Sequence, residues 1–305
     1  MAEKKNISSV RQRIQDGEFS QSAEISTSYL DEDLLIIDNI KVLANPDPVR
    51  LKMNMLACCL QGYAAALLNG QRIEVSKGEI FACPPETTVD FIEVSDDFAC
   101  TALCITNHGI QNILRSHIGL WNQAMYVNHL RVIKMSELDS KFYDKLTALL
   151  RLCLDTADME LASWNPFRRE LMETLLKSGL LVVCNVFRQS ARQENSSSSS
   201  DALFNRFLDI LQHLEAKHQP VDFFARQLCI TPKYLTIICK RHSGKTAIEW
   251  ITEYTLSDIT YYLRSTRLSV KEIALKLGFN NTSFFGKYVK EHFHMSPMKY
   301  REQMK

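Results

Sequence analysis

The chain has 305 residues, 46% of them hydrophobic and 23% charged, with a formal net charge of +1. That length and composition suit two globular domains, each with a core of its own. Nine scattered cysteines, an odd number, argue against a disulfide framework, and the most apolar run, near residues 175–187, is too short to span a bilayer.

The near-zero charge is an average over unlike parts. From Asp201 onward there are 16 Lys and Arg against 10 Asp and Glu, with five of the eight His, whereas the residues before it carry 20 against 25. Such asymmetry suggests that the C-terminal part meets a polyanion; a merely solvated basic surface would give the same count.

The opening "MAEKKNISSVRQRIQDGEF" has no apolar h-region, so no secretory signal is expected. Short strands are expected over residues 34–105. Asn69-Gly70 is a hairpin signal between two strand-like runs, and Gly62, Gly78 and Pro84-Pro85 punctuate the rest. Strands at this spacing predict a small sandwich or barrel. The cysteines there, Cys58-Cys59 among them, read as buried thiols of a reducing cytosol.

From Ser136 the period becomes helical. Ser136-Glu137-Leu138-Asp139 resembles a capping box, and Phe142, Leu146, Leu149, Leu150 and Cys153 are expected to share a face. Asn165-Pro166 starts a second helix carrying Leu171, Leu175, Leu176, Leu180 and Cys184. Its apolar surface is wider than one stripe needs, so it is either core or part of a subunit interface. "RQENSSSSSD", residues 192–201, is polar and of low complexity, and a domain boundary is expected there.

Beyond it the pattern is helical throughout. Val270, Ile273, Ala274 and Leu277 recur at i, i+3, i+4 and i+7, and Gly278 stands where a left-handed residue would end the helix. Asn281 can cap the next helix, with Phe285, Tyr288 and Val289 inward and Thr282, Ser283, Gly286, Lys287 and Lys290 outward. Two short helices at a glycine corner make a helix-turn-helix, whose second helix can enter the major groove of DNA. Val221, Phe224, Ala225 and Leu228 repeat the first helix. Thr231, Pro232, Leu235, Ile238 and Cys239 repeat the second, with Lys233, Thr236, Ile237 and Lys240 outward. A lone unit could be an ordinary αα-hairpin; two copies in phase, each with basic residues outward, point to DNA.

The run "VKEIALKLGFNNTSFFGKYVKEHFHMSPMKYR" and its partner "ITPKYLTIICKRHSGKT" resemble the C-terminal DNA-binding domain of AraC/XylS-type transcription regulators. The matching residues are Ile273-Ala274, Gly278-Phe279, Phe284-Phe285, Tyr288 to Lys290 and Ser296 to Arg301. His294 departs from a usual glycine, Thr255 from a frequent arginine, Ile259 from a frequent alanine, and Ile237 from a polar or basic residue. The resemblance implies base contacts from Lys233, Thr236, Ile237, Thr282, Ser283 and Lys287. Lys240, Arg241 and Lys290 suit phosphate, since a flexible point charge discriminates no base.

The N-terminal half resembles, more weakly, the cupin-like barrel of many such regulators. The expected fold class is then α+β. A small cupin-like β-barrel with two following helices fills residues 1–190, a Ser-rich linker 191–200, and an all-α tandem helix-turn-helix domain 201–305. The resemblance implies a cytoplasmic homodimer that binds double-stranded DNA, contacts RNA polymerase and senses a small effector. Arg50, Asn54 and Glu93 are the polar candidates for an effector pocket, subject to strand register. The barrel strands contain no histidine, so neither metal, cofactor nor catalytic residue is expected. A metal-dependent cupin enzyme fused to a DNA-binding domain, and a DNA-binding protein without an effector, are the alternatives from other classes.

Overall fold

The structure is a computed structural model that describes residues 34–37, 48–155, 165–191 and 199–303. The chain divides into two compact units, Met1–Asn195 and Ser196–Lys305.

Among the described residues the N-terminal unit has nine strands: β1 Leu34–Ile37, β2 Val49–Arg50, β3 Asn54–Gln61, β4 Tyr63–Leu68, β5 Gln71–Ser76, β6 Glu79–Cys83, β7 Thr88–Val94, β8 Ala99–Ile105 and β9 Val132–Lys134. They form two antiparallel sheets, ordered β1-β8-β3-β6-β9 and β2-β7-β4-β5. Among the described residues no ladder joins the sheets, so the architecture is an open sandwich where the sequence suggested a sandwich or barrel. Gly62 carries the chain from β3 in one sheet to β4 in the other, where a Cβ would lie 2.3 Å from Ser95 Oγ. The Asn69-Gly70 turn forms as expected. Both residues have positive φ, 49° and 85°, and Asn69 Oδ1 accepts from the Thr88 backbone N–H at 2.8 Å.

Alternation along the strands sets the core. Met55, Ala57 and Cys59 of β3, Phe81 and Cys83 of β6, and Cys100, Ala102 and Cys104 of β8 meet Ala64, Ala66 and Leu68 of β4 and Val75 of β5. Burial pushes the thiols upward, Cys59 to about 11 and Cys104 to about 12, which keeps them protonated and unreactive.

Helices follow β8. Helix α1, Asn107–Ile113, is capped by Thr106, which accepts from the Gly109 N–H at 2.9 Å. Helix α2, Ile118–Asn122, runs into a π-helical turn, Gln123–Val127. Helix α3, Glu137–Asp155, begins as expected with Ser136 Oγ accepting from the Asp139 N–H. Helix α4, Asn165–Ala191, packs on α1, α2, the π turn, β9 and α3. At its crossing with α3, a Cβ on Gly179 would come within 2.3 Å of Leu146 Cδ2, so a larger residue there would require the Leu146 side chain to shift.

One sequence expectation changes here, on α3, and the alternatives left open for α4 narrow. On α3 the buried stripe is Tyr143, Leu146, Thr147 and Leu150, while Phe142 and Leu149 are exposed. On α4, Met172, Leu176, Leu180, Val183, Cys184 and Phe187 are buried within the unit, and Phe187 packs against Trp121. The stripe through Leu176, Leu180 and Cys184 is therefore core, while Leu171 is exposed and Leu175 half-buried.

The C-terminal unit contains α5 Ser199–His213, α6 Val221–Gln227, α7 Pro232–Ser243, α8 Ala247–Ser265, α9 Val270–Lys276, α10 Thr282–Phe293 and α11 Pro297–Gln303. Residues 192–198 of the expected linker lie outside the described residues. Ser199 and Ser200 belong to the first turn of α5, where Asp201 suits the positive end of the helix dipole.

Candidate nucleic-acid interface

The two motifs are α6–α7 and α9–α10. Each first helix closes in the same way. Ile230 N–H donates to Ala225 O at 3.0 Å and Cys229 N–H to Arg226 O at 3.1 Å; Phe279 N–H donates to Ala274 O at 2.9 Å and Gly278 N–H to Leu275 O at 3.1 Å. These are paired Schellman bonds around a left-handed residue, Cys229 with φ 57° and Gly278 with φ 87°. The second corner holds one residue more before its cap, which accounts for the shift between the sequence repeats.

Both recognition helices are 12 residues long. Thr231 caps α7 by accepting from the Tyr234 N–H at 3.2 Å, and Asn281 caps α10 by accepting from the Phe284 N–H at 2.7 Å. Both end at a left-handed residue, Gly244 and His294, so the departure at His294 leaves the turn intact. Leu235, Ile238 and Cys239 bury the inner stripe of α7, and Phe285 and Val289 that of α10. Residue by residue, exposure from Thr231 to Lys240 matches that from Asn281 to Lys290 at all but one position.

The expected contact residues fall on the outer faces. Lys233, Thr282, Ser283 and Lys287 are exposed, as are Lys240, Arg241 and Lys290. Thr236 is half-buried, its hydroxyl donating to Pro232 O at 3.0 Å. Ile237 is 47% exposed, an apolar side chain on the outer face. A Cβ on Gly286 would meet nothing within 4 Å, so this position leaves the middle of α10 open to close approach.

Supporting contacts hold the two faces. Helix α8 starts with a capping box in which Thr246 and Glu249 exchange bonds, and Ser269 and Glu272 do the same for α9. These bonds hold both glutamates below the usual carboxylate range. Arg301 donates to Leu263 O at 3.2 Å and Leu268 O at 2.6 Å, tying α11 to the α8–α9 junction, while Tyr300 is buried beside Thr260.

Sequence reasoning missed two of these supports. Lys217 is buried against Asp258 of α8 at 3.0 Å and donates to Leu214 O at 2.6 Å at the end of α5. His218 stacks on Phe279 with ring centroids 4.0 Å apart and an interplanar angle of 5°, and meets Tyr288 edge-on. Burial lowers the His218 pKa. Neither residue carries a periodic signal, because both lie in the irregular stretch between α5 and α6.

The effector candidates do not converge. Arg50 is exposed and pairs with Glu86, and Glu93 is exposed and accepts from the Tyr63 hydroxyl. Asn54 is buried, but on the face of β3 opposite the inter-sheet residues Met55 and Ala57, where it donates to Ile105 O and Asn107 Oδ1. The strand register thus removes all three from the space between the sheets.

Residues 224–303 match a family model described as a helix-turn-helix domain. The Msm operon regulatory protein of Streptococcus mutans is 23% identical over 252 residues, which is 80% of this chain and 82% of that protein. The probable transcription factor PqrA of Proteus vulgaris is 30% identical over 99 residues, 31% of this chain and 81% of that protein. Among solved structures, the C-terminal domain of AraT, a response regulator from Geobacillus stearothermophilus, is 25% identical and covers 35% of this chain and 88% of its own, with a TM-score of 0.32.

Proposed function

Since the chain belongs to the AraC/XylS family of DNA-binding transcription regulators, we propose that it reads an operator with both recognition helices at once, α7 and α10 entering successive major-groove segments on one face of the duplex. The observation carrying this reading is the match of the two helices in length, caps, closing geometry and exposed positions. In each, an outward row runs at i, i+3, i+4 and i+7, Lys233, Thr236, Ile237 and Lys240 on one and Ser283, Gly286, Lys287 and Lys290 on the other, and of these Lys233, Thr236, Ile237, Ser283 and Lys287 can reach base edges. Lys287 can donate to guanine O6 and N7, and Ile237 can pack on a thymine methyl. Thr282 at the start of α10 adds a hydroxyl. Lys240, Arg241 and Lys290 neutralise phosphates.

The N-terminal unit then carries control. It holds the subunits together as a homodimer and senses a small effector, and the DNA-bound form contacts RNA polymerase. The similarity to the Msm operon regulatory protein, which runs through 80% of the chain and so into this unit, supports an operon-control role. An apolar effector would suit the Met, Ala, Cys, Leu, Val and Phe side chains packed between the sheets. Selection of bound sequences from a random pool tests DNA reading. Sequence-independent binding with a steep salt slope would show an architectural protein instead.

A further inference from the structure

The short stretch between α5 and α6 leads into the first motif, yet much of it is fastened to the second. Glu215 pairs with Lys276 of α9 at 2.9 Å, and the His218 N–H donates to Leu277 O at 3.0 Å. Ala216 and Gln219 lie so close to the corner at Gly278 that a Cβ there would come within 3.2 Å and 3.1 Å of them. The His218 ring, stacked on Phe279, also meets Phe284 and Tyr288 of α10, with centroids 5.8 Å and 5.0 Å away. Phe279 in turn meets Phe285, on the inner stripe of α10, edge-on at 5.0 Å. Two residues past His218, Pro220 is the N-cap of α6, with its φ fixed by the pyrrolidine ring. Little slack therefore separates the ring held on α10 from the first turn of α6. Each motif has its own corner bonds, cap and inner stripe without this stretch.

We propose that His218 is a positioning residue for operator reading: its ring pins the entry of α6 to α10 and so fixes the separation at which α7 and α10 meet the DNA. The inference rests on the two-helix reading above. Helix α8 joins the motifs along the chain, and a single connection leaves them free to swivel about it. The stack on Phe279 and Tyr288 is a second tie, which removes that freedom before DNA is bound. A fixed pair of helices fits one separation of the two sequence blocks and gains affinity by engaging both at once. A looser pair must be ordered on binding, so it loses affinity and accepts other separations.

The test takes the full-length protein and the operator that wild type selects from a random pool. Fluorescence anisotropy compares that operator with versions in which one block is scrambled, or one base pair is inserted or deleted between the blocks. Wild type should prefer the intact operator to all of these. His218→Ala should lose about tenfold on the intact operator, the worth of two ring contacts. It should keep wild-type affinity for each single block and bind the respaced operators as well as the intact one. His218→Phe keeps a flat ring and should restore both the affinity and the spacing preference. His218→Leu, which keeps bulk without a ring, carries the same expectations as His218→Ala if that variant fails to fold. Unchanged spacing preference in the folded variant, or no restoration by His218→Phe, overturns this inference and leaves the two-helix reading intact. Equal losses on both single blocks, or unfolding of both His218→Ala and His218→Leu, would mark His218 as a support for folding and also overturn it. Wild type indifferent to scrambling of one block overturns the two-helix reading itself.

Discussion

The corners of the two motifs are closed by the same hydrogen bonds but by different residues, and this gives a paired prediction. At Gly278 φ is 87°, and an added Cβ would lie 3.1 Å from Gln219 Nε2 and 3.2 Å from Ala216 Cβ. Gly278→Ala therefore meets both the left-handed penalty, about 1–2 kcal/mol, and crowding against a backbone-anchored neighbour, of order 1 kcal/mol. A loss of about 2–3 kcal/mol is expected. Cys229 is exposed and already bears the left-handed penalty at φ 57°. Cys229→Gly removes that cost and gives back about 0.5–1 kcal/mol through the freer unfolded chain, a net gain of up to about 1 kcal/mol. Native-state hydrogen exchange of the full-length protein reads each motif separately. Protection over residues 270–293 should fall in Gly278→Ala, and protection over residues 221–243 should hold or rise in Cys229→Gly. Equal, small effects at the two sites would refute the argument that the corners impose left-handed geometry.

Gly286→Ala should raise the stability of α10 by about 1 kcal/mol, since its Cβ meets open space, whereas Gly286→Leu should fold equally well and lose operator binding in a gel-shift titration. Lys287→Ala should relax preference at one base pair by about 1–3 kcal/mol, while Lys290→Ala should weaken all sequences alike and lower the salt slope by about one unit. Because the His218 pKa is depressed, folding favours its neutral form. Its contribution is full above the ordinary value of 6.5 and is lost as pH falls below it, so melting between pH 7 and pH 5 should show a decline that His218→Phe flattens. Leu176→Glu with Leu180→Glu should unfold the N-terminal unit, as seen by loss of near-ultraviolet circular dichroism, because both side chains are core.

The recognition helices were legible because short-range rules fix them. Thr231, Pro232 and Asn281 are caps and N1 residues, Gly278 is a left-handed corner, and the apolar stripes repeat at helical spacing. The Asn69-Gly70 hairpin was legible for the same reason. Strand β9 and helices α1 and α2 were not. Val132–Lys134 is only three residues long and becomes a strand only by pairing with β6, a tertiary event. The faces of α3 were misjudged because the helix carries two apolar stripes and periodicity does not say which is buried. Arg50, Asn54 and Glu93 failed as a cluster for the reason alternation always allows, that one residue of register exchanges the two faces of a sheet. Lys217 and His218 were invisible, because a buried lysine and a stacked histidine depend on partners 41 and 61 residues away in sequence.

The central claim is that α7 and α10 each read their own segment of one operator. Sequences should be selected from a random pool with full-length wild type, with Lys233→Ala/Ile237→Ala, and with Lys287→Ala. Wild type should give two blocks of preference about 10 base pairs apart, centre to centre. The α7 variant should erase one block and the α10 variant should relax the other. A single block, or loss of both blocks in either variant with folding intact, would contradict the account.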